Sequence, residues 1–272
     1  MLIALGAVAA ILPAAVVAGA ITDPAPPAAP PAPPEFRILN PNVTPRRAYF
    51  AGREVEITFA LAAPEPLVLQ VDIVRNKTDK PVRRLTGVAD VDETHLLAWD
   101  GLTGGGEVAP NGGYRFRISG PDGRVRRGAA LKWHSHAYPI RGRHADRGAA
   151  GAFGVGRNGG RRHEGFDVNA ACGTPLVAAR GGRVVRAGYD PVLYGNFVIV
   201  RGERTRRDYW YSHLMHTTRL RVGDRVRTGQ RIGSVGATGN ARTIGCHLHF
   251  EMHSRGRPID PAPELHRWDR WS

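Results

Sequence analysis

The chain has 272 residues, 42% of them hydrophobic, which excludes a wholly disordered protein and leaves room for one large domain or two of ordinary size. Its 34 glycines and 21 prolines require many turns and predict an all-β architecture rather than helical bundles. Thirty-eight basic against 24 acidic side chains leave a formal charge of +14, which favours anionic partners such as nucleic acid, acidic lipid or wall polymer without choosing among them.

Met1 to Thr22 carries no charged side chain and is dominated by Leu, Ile, Val and Ala up to Val17. Ala18-Gly19-Ala20 fits a small-residue cleavage site, so residues 1–20 read as an export signal, although the usual basic start is missing. Retention of residues 1–22 as a membrane anchor is the alternative. Residues 21–35 are a Pro/Ala-rich spacer of extended polyproline character. From 36 to 133, short alternating runs bounded by turns predict a β-sandwich, with strands at Val55–Phe59, Leu67–Val74 and Tyr114–Ile118. Trp99-Asp100-Gly101-Leu102 through Pro110-Asn111-Gly112-Gly113-Tyr114 resembles the signature of immunoglobulin-like domains of the flagellar-hook-capping type. That resemblance implies a spacer or binding module, with Trp99 and Tyr114 packed inside.

Pro139 to Arg162, rich in Gly and Arg, reads as an irregular entry to a second domain. Strands are then expected at Gly182–Gly188, Asn196–Val200 and Gly229–Gly236. Arg201 to Arg207 reads as a solvated hairpin that could also grip anionic wall polymers. Trp268 and Trp271 are expected to cap the core or to dangle, and no stretch beyond the N-terminus shows helical periodicity. The two cysteines, Cys172 and Cys246, suit one disulfide in an exported chain; two unpaired buried thiols are the alternative.

The chemistry concentrates in three segments. On a strand, His247, His249 and Glu251 share one face, while Cys246, Leu248 and Phe250 share the other and suit a core. His163 and Asp167 are spaced so that both can face one side of an extended segment, with Gly165 leaving room between them. His163, Asp167 and His249 would make a three-ligand metal set with a position left for water, and His213 and His247 remain as further imidazoles. Glu251 is a candidate to orient an imidazole; Tyr211 and Asn169 are weaker candidates for supporting or substrate contacts. His134, His136 and His144 lie at the domain junction without a carboxylate at useful spacing. His95, His216, His253 and His266 read as ordinary surface or strand-end residues.

Taken together, His163-x-x-x-Asp167, Tyr211-Ser212-His213-Leu214 and His247-Leu248-His249-Phe250-Glu251 resemble the M23 family of zinc metallopeptidases, the lysostaphin-like endopeptidases. The resemblance extends through Gly173-Thr174-Pro175-Leu176, Gly223-Asp224-Arg225-Val226 and Gly236-Ala237-Thr238-Gly239, and covers most of residues 138–264. It implies a compact antiparallel β fold following the sandwich, a Zn(2+) cofactor held by His163, Asp167 and His249, and His213 and His247 as catalytic residues. It also implies a secreted or wall-associated enzyme acting on peptide bonds of peptidoglycan. Cys246 stands where many relatives have proline, and Glu164 where glutamine is frequent; neither change removes a ligand. A non-catalytic regulator of another wall hydrolase is the competing reading, set against the presence of all three ligands and both histidines. A nucleic-acid partner rests on the charge alone and is set aside, since no aromatic-interleaved basic face accompanies it, and nothing points to an obligate oligomer.

Overall fold

Along β3 (Val55–Ala62), buried and half-buried residues alternate without a break, so one side of the strand enters a core and the other does not. The computed structural model describes residues 34–271; the expected signal or anchor at 1–20 and nearly all of the 21–35 spacer lie outside the described residues. Seven further strands accompany β3 before residue 135: β1 (Arg37–Thr44), β2 (Arg47–Tyr49), β4 (Leu67–Arg75), β5 (Pro81–Ala89), β6 (Thr94–Trp99), β7 (Gly112–Ser119) and β8 (Val125–His134). They form two sheets, ordered β1-β3-β6 and β2-β8-β7-β4-β5, antiparallel except that β2 runs parallel to β8. Val55, Ile57, Phe59 and Leu61 of β3 share one core with Leu69, Val71 and Ile73 of β4 and Tyr114, Phe116 and Ile118 of β7.

Trp99, Tyr114 and Trp133 close one end of that core. The Trp99 ring lies 5.3 Å from Tyr114 and 5.1 Å from Trp133. Each polar tip finds a carbonyl: Trp99 Nε1 donates to Leu102 O at 2.8 Å, Trp133 Nε1 to Ala109 O at 2.9 Å and the Tyr114 hydroxyl to Pro110 O at 2.7 Å. Gly101 must be glycine, because its φ is +82° and a Cβ there would stand 1.9 Å from Trp133.

The rest of the chain adds β9 (His144–Asp146), β10 (Phe166–Ala170), β11 (Pro175–Val177), β12 (Gly182–Asp190), β13 (Gly195–Gly202), β14 (Arg207–Leu214), β15 (Arg225–Val226), β16 (Arg231–Ser234), β17 (His247–Ser254) and β18 (Arg257–Ile259). An antiparallel path β15-β12-β13-β14-β17-β10-β9 carries β18 on β17, and β11 pairs with β16 separately. Val198, Val200, Tyr209, Tyr211, Leu248, Phe250 and Met252 form its core. A short α-helix, α1 (Ala262–Asp269), buries Leu265 and Trp268 on that core. The sequence reading contains no helix here, because two turns are too few to display a period. Trp271 is half-buried and donates Nε1 to Trp133 O at 3.2 Å, so neither terminal tryptophan dangles.

The two cores belong to one compact unit. Thr228 N donates to Phe50 O at 3.0 Å, and Arg180 Nη1 donates to Ser135 O at 3.1 Å. Cys172 and Cys246 form a disulfide with their Cα atoms 5.3 Å apart, tying the segment after β10 to the first residue before β17. No helix among the described residues is long and apolar enough to cross a membrane.

Candidate metal centre

β10 and β17 lie side by side in a register that places Asp167 opposite His249 and Asn169 opposite His247. Val168, Leu248 and Phe250 take the core face, so the polar residues must share the other face. His163 reaches the same spot from the loop before β10, which is held by its own N–H to Val155 O and by Gly154 N–H to its carbonyl, both at 2.8 Å. Gly165 allows this approach, since a Cβ there would meet Phe250 O at 2.6 Å and His249 Cε1 at 2.8 Å.

His213 arrives by a different route. Tyr209 and Tyr211 of β14 point into the core, and strict alternation would send residue 213 there too. The β13–β14 register instead slips between Asn196 and Val198, and His213 adopts a left-handed φ of +63°. The extra residue is a bulge that rotates the imidazole into the cleft and returns Leu214 to the core.

Three acceptor atoms converge. His163 Nε2 lies 3.0 Å from Asp167 Oδ1 and 2.9 Å from His249 Nδ1, and His249 Nδ1 lies 2.9 Å from Asp167 Oδ1. All three residues are buried. His247 Nε2 stands 4.0 Å from Asp167 Oδ1, and the His213 ring is 4.8 Å from His247 and 5.7 Å from His249. The far nitrogen of every ring is occupied: His163 Nδ1 at 2.8 Å from Ala152 O, His213 Nδ1 at 2.9 Å from Thr238 O, His247 Nδ1 at 2.8 Å from Gly245 O and His249 Nε2 at 2.8 Å from Glu251 Oε1. A carbonyl or carboxylate only accepts, so each far nitrogen carries the N–H and the near nitrogen turns a lone pair inward.

Lone pairs packed this closely repel unless positive charge sits among them. Burial opposes ionisation of Asp167, yet its close contacts with the His163 and His249 rings hold its carboxyl well below the usual carboxylate range. Burial likewise opposes a charged His249, but Asp167 and Glu251 lift it to about 9. Glu251, buried and bonded also to His253 Nε2 at 2.6 Å, is held down to about 2. His213, with no carboxylate at bonding distance, is pushed by burial and by the neighbouring His249 and His247 down to about 3; burial also lowers His247. The acceptor spacing is close to the edge of a small tetrahedron (roughly 3.3 Å for metal–nitrogen bonds of about 2.0 Å), so His163, Asp167 and His249 could hold a metal ion. The surrounding cleft measures about 780 Å³ and is rimmed by Arg147, Arg157, Arg161, Arg162 and Tyr194.

The structure therefore brings His163, Asp167, His249, His247, His213 and Glu251 into one cleft. It does not bring Tyr211, whose side chain lies on the core face, with its hydroxyl accepting from Ala179 N at 2.7 Å and its ring 5.3 Å from Phe250. The expectation of a cleft contact for Tyr211 is corrected by the parity of β14. Asn169 stands at the margin, accepting from Arg147 Nη1 at 3.1 Å. His134, His136 and His144 do not converge; they stack on Tyr49, Trp268 and Tyr138 at 4.7, 4.8 and 4.2 Å. His253 lies in β17 just past its fully buried part, stacked on Trp210 at 4.9 Å. Sequence reasoning missed Arg157, whose Nη2 is 3.5 Å from Asp167 Oδ2, and the carbonyls of Ala152, Thr238 and Gly245. A backbone carbonyl leaves no mark on residue type, and Arg157 is one arginine in a stretch full of them.

Residues 161–261 match the family model described as "Peptidase family M23". The chain is 38% identical over 120 residues to the glycyl-glycine endopeptidase ALE-1 of Staphylococcus capitis, covering 42% of this chain and 32% of that protein. It is 34% identical over 114 residues to the murein hydrolase activator NlpD of Salmonella typhimurium, covering 42% of this chain and 28% of that one. Among solved structures, the catalytic domain of the antimicrobial peptidase lysostaphin from Staphylococcus simulans is 31% identical, with 49% of this chain and 92% of that chain covered and a TM-score of 0.37. The chain spans well under half the length of the curated relatives it matches.

Proposed function

We propose that this chain, which carries a domain of peptidase family M23 over residues 161–261, is an exported zinc endopeptidase that hydrolyses peptide bonds of peptidoglycan. The observation that carries the reading is the convergence of His163 Nε2, Asp167 Oδ1 and His249 Nδ1 within 3.0 Å of one another, with the outer nitrogens fixed as donors. The donor set, two imidazoles and one carboxylate with an open side toward the cleft, suits zinc. When bound, zinc supplies Lewis-acid chemistry, acidifying water and polarising a carbonyl.

The chain's own residues do the remaining work. Glu251 fixes the His249 ring through Nε2, and Ala152 O fixes His163 through Nδ1. His213 and His247 are neutral near pH 7 and present free Nε2 lone pairs, so this pair can take a proton from attacking water and return it to the leaving amine. Protonated, either ring can also donate to oxygen charge developing on the scissile carbonyl. The basic rim formed by Arg147, Arg157, Arg161 and Arg162 suits a substrate bearing carboxylates. The preceding two-sheet unit is proposed as an immunoglobulin-like spacer or wall-binding module.

A regulator that acts through another hydrolase is the second reading, supported by the similarity to a murein hydrolase activator. Incubation of the protein with purified peptidoglycan, with and without chelator, separates the two when released fragments are identified by mass spectrometry. Soluble peptide-cleaved products that vanish on chelation and return with zinc are the expected result. Absence of products at every metal concentration, or products that persist in His249→Ala, would replace the endopeptidase reading.

A further inference from the structure

A second cleft, also about 780 Å³, opens where the 106–111 loop, Ser135 and His136, the β13–β14 turn and the C-terminal end of α1 meet. It shares no lining residue with the metal cleft. Six arginines line it: Arg75, Arg180, Arg204, Arg207, Arg267 and Arg270. Glu107 is the one carboxylate in the lining, and Glu264 beside it accepts from Arg207 and Arg267. Six positive charges therefore face two negative ones.

Arg180 makes the imbalance specific. It is 3% exposed, and every hydrogen bond it gives goes to a backbone carbonyl: Nη1 to Ser135 O at 3.1 Å, Nε and Nη2 to Glu203 O at 3.2 and 2.9 Å. Its guanidinium also lies 4.0 Å over the Phe50 ring. Burial lowers its pKa to about 10, which leaves it charged at neutral pH. No carboxylate among the described residues is in ion-pair contact with it, and the nearby Glu203 carboxylate is taken by Arg225 at 2.5 Å. Arg75 repeats the pattern, giving Nη2 to Asn111 O at 3.1 Å while its buried Nε has no partner among the described residues. A buried cation satisfied only by carbonyls keeps its hydrogen bonds but not its counter-charge, and that deficit is what an anion would fill.

We propose that this cleft binds a phosphate group, free or carried by a phosphodiester-linked polyol or glycan polymer. Guanidinium groups arriving from several elements suit a tetrahedral oxyanion, whereas a planar carboxylate is satisfied by one fork. The aromatic faces nearby are already engaged and offer no platform for nucleobases. Trp268 stacks on His136 at 4.8 Å and 6°, and Trp271 is held at Trp133 O with Lys132 over its ring.

Calorimetric titration of the full chain, kept in chelator so that the metal cleft contributes no metal-held anion, tests this with sodium phosphate, glycerol phosphate, poly(glycerol phosphate) and sodium acetate at one ionic strength. The phosphate ligands should bind, the polymer most tightly, and acetate should not bind at the same concentration. The double variant Arg75→Gln/Arg204→Gln should weaken binding about tenfold or more. The exposed-rim variant Arg270→Gln serves the same purpose if the double variant loses its circular dichroism. Arg37→Gln, an exposed arginine outside both clefts, should leave the titration unchanged. Phosphate binding at free phosphate but not at the polymer would assign the site to a small ligand and overturn the polymer. Failure of any phosphate to bind, equal binding of acetate, insensitivity to the rim variants, or tighter binding of a single-stranded oligonucleotide per phosphate would overturn the proposal.

Discussion

His249 gives Nε2 to Glu251 at 2.8 Å and turns Nδ1 toward Asp167 and His163, both at 2.9 Å. Its usefulness as a ligand rests on Glu251 keeping the proton on the far nitrogen. Glu251→Gln keeps the volume but removes the charge and allows the amide to present either an acceptor or a donor. Metal affinity is expected to fall about 10–100-fold, read by chelator competition, with the fold retained. His213→Ala and His247→Ala should behave differently: bound-metal stoichiometry holds, while kcat on a peptidoglycan fragment drops about a hundredfold or more. The acceptor set is legible in the sequence because strand parity and an even spacing mark His163, Asp167, His247, His249 and Glu251. Tyr211 is misread from sequence since its motif neighbour His213 faces the cleft, and only the bulge separates their directions.

Elements with a clear apolar alternation, such as β3 and β7, or a continuous apolar run, such as β4 and β13, are plain in the sequence. β5 is not, because it is a sheet edge whose half-buried Arg83 and exposed Arg84 obscure the pattern, and β8 is interrupted by arginines in the same way. The β17 strand gains a covalent hold from the Cys172–Cys246 bridge, which closes a loop of 74 residues. Cys246→Ser is expected to cost about 4 kcal/mol of unfolding free energy by urea titration, if the released chain is unconstrained. Since Cys246 directly precedes His247, a parallel loss of metal affinity is expected in the same variant, and unchanged affinity would separate the bridge from the site.

Across the whole molecule, the junction between the two cores is built on neutral buried imidazoles. His134 is 2% exposed, stacks on Tyr49 at 4.7 Å and is depressed to about 4, first by burial and then by Arg47, Arg141 and Lys132. Burial, reinforced by Arg180, pushes His136 well below its ordinary value as well. The unfolded chain takes up protons near 6.5, whereas folded His134 resists until about 4. The contribution of His134 to stability is therefore constant above roughly pH 6.5 and falls as the pH drops from there toward 4. His134→Phe, which preserves the stack and cannot titrate, should flatten part of that slope in thermal melts across the pH range. An unchanged slope would place the acid sensitivity elsewhere.

Three of the four imidazoles in the metal cleft are oriented by main-chain oxygens, those of Ala152, Thr238 and Gly245. Substitution of the side chains at these positions leaves such an oxygen in place as long as the chain path is kept. A family of sequences could thus drift at Ala152 while the ring it steers stays invariant, whereas Gly245, at a φ of +100°, and Thr238, whose hydroxyl bonds Asn196 N and Leu214 O, are held for reasons of their own. A scan for constrained positions would find the hands but only some of what holds the wrists.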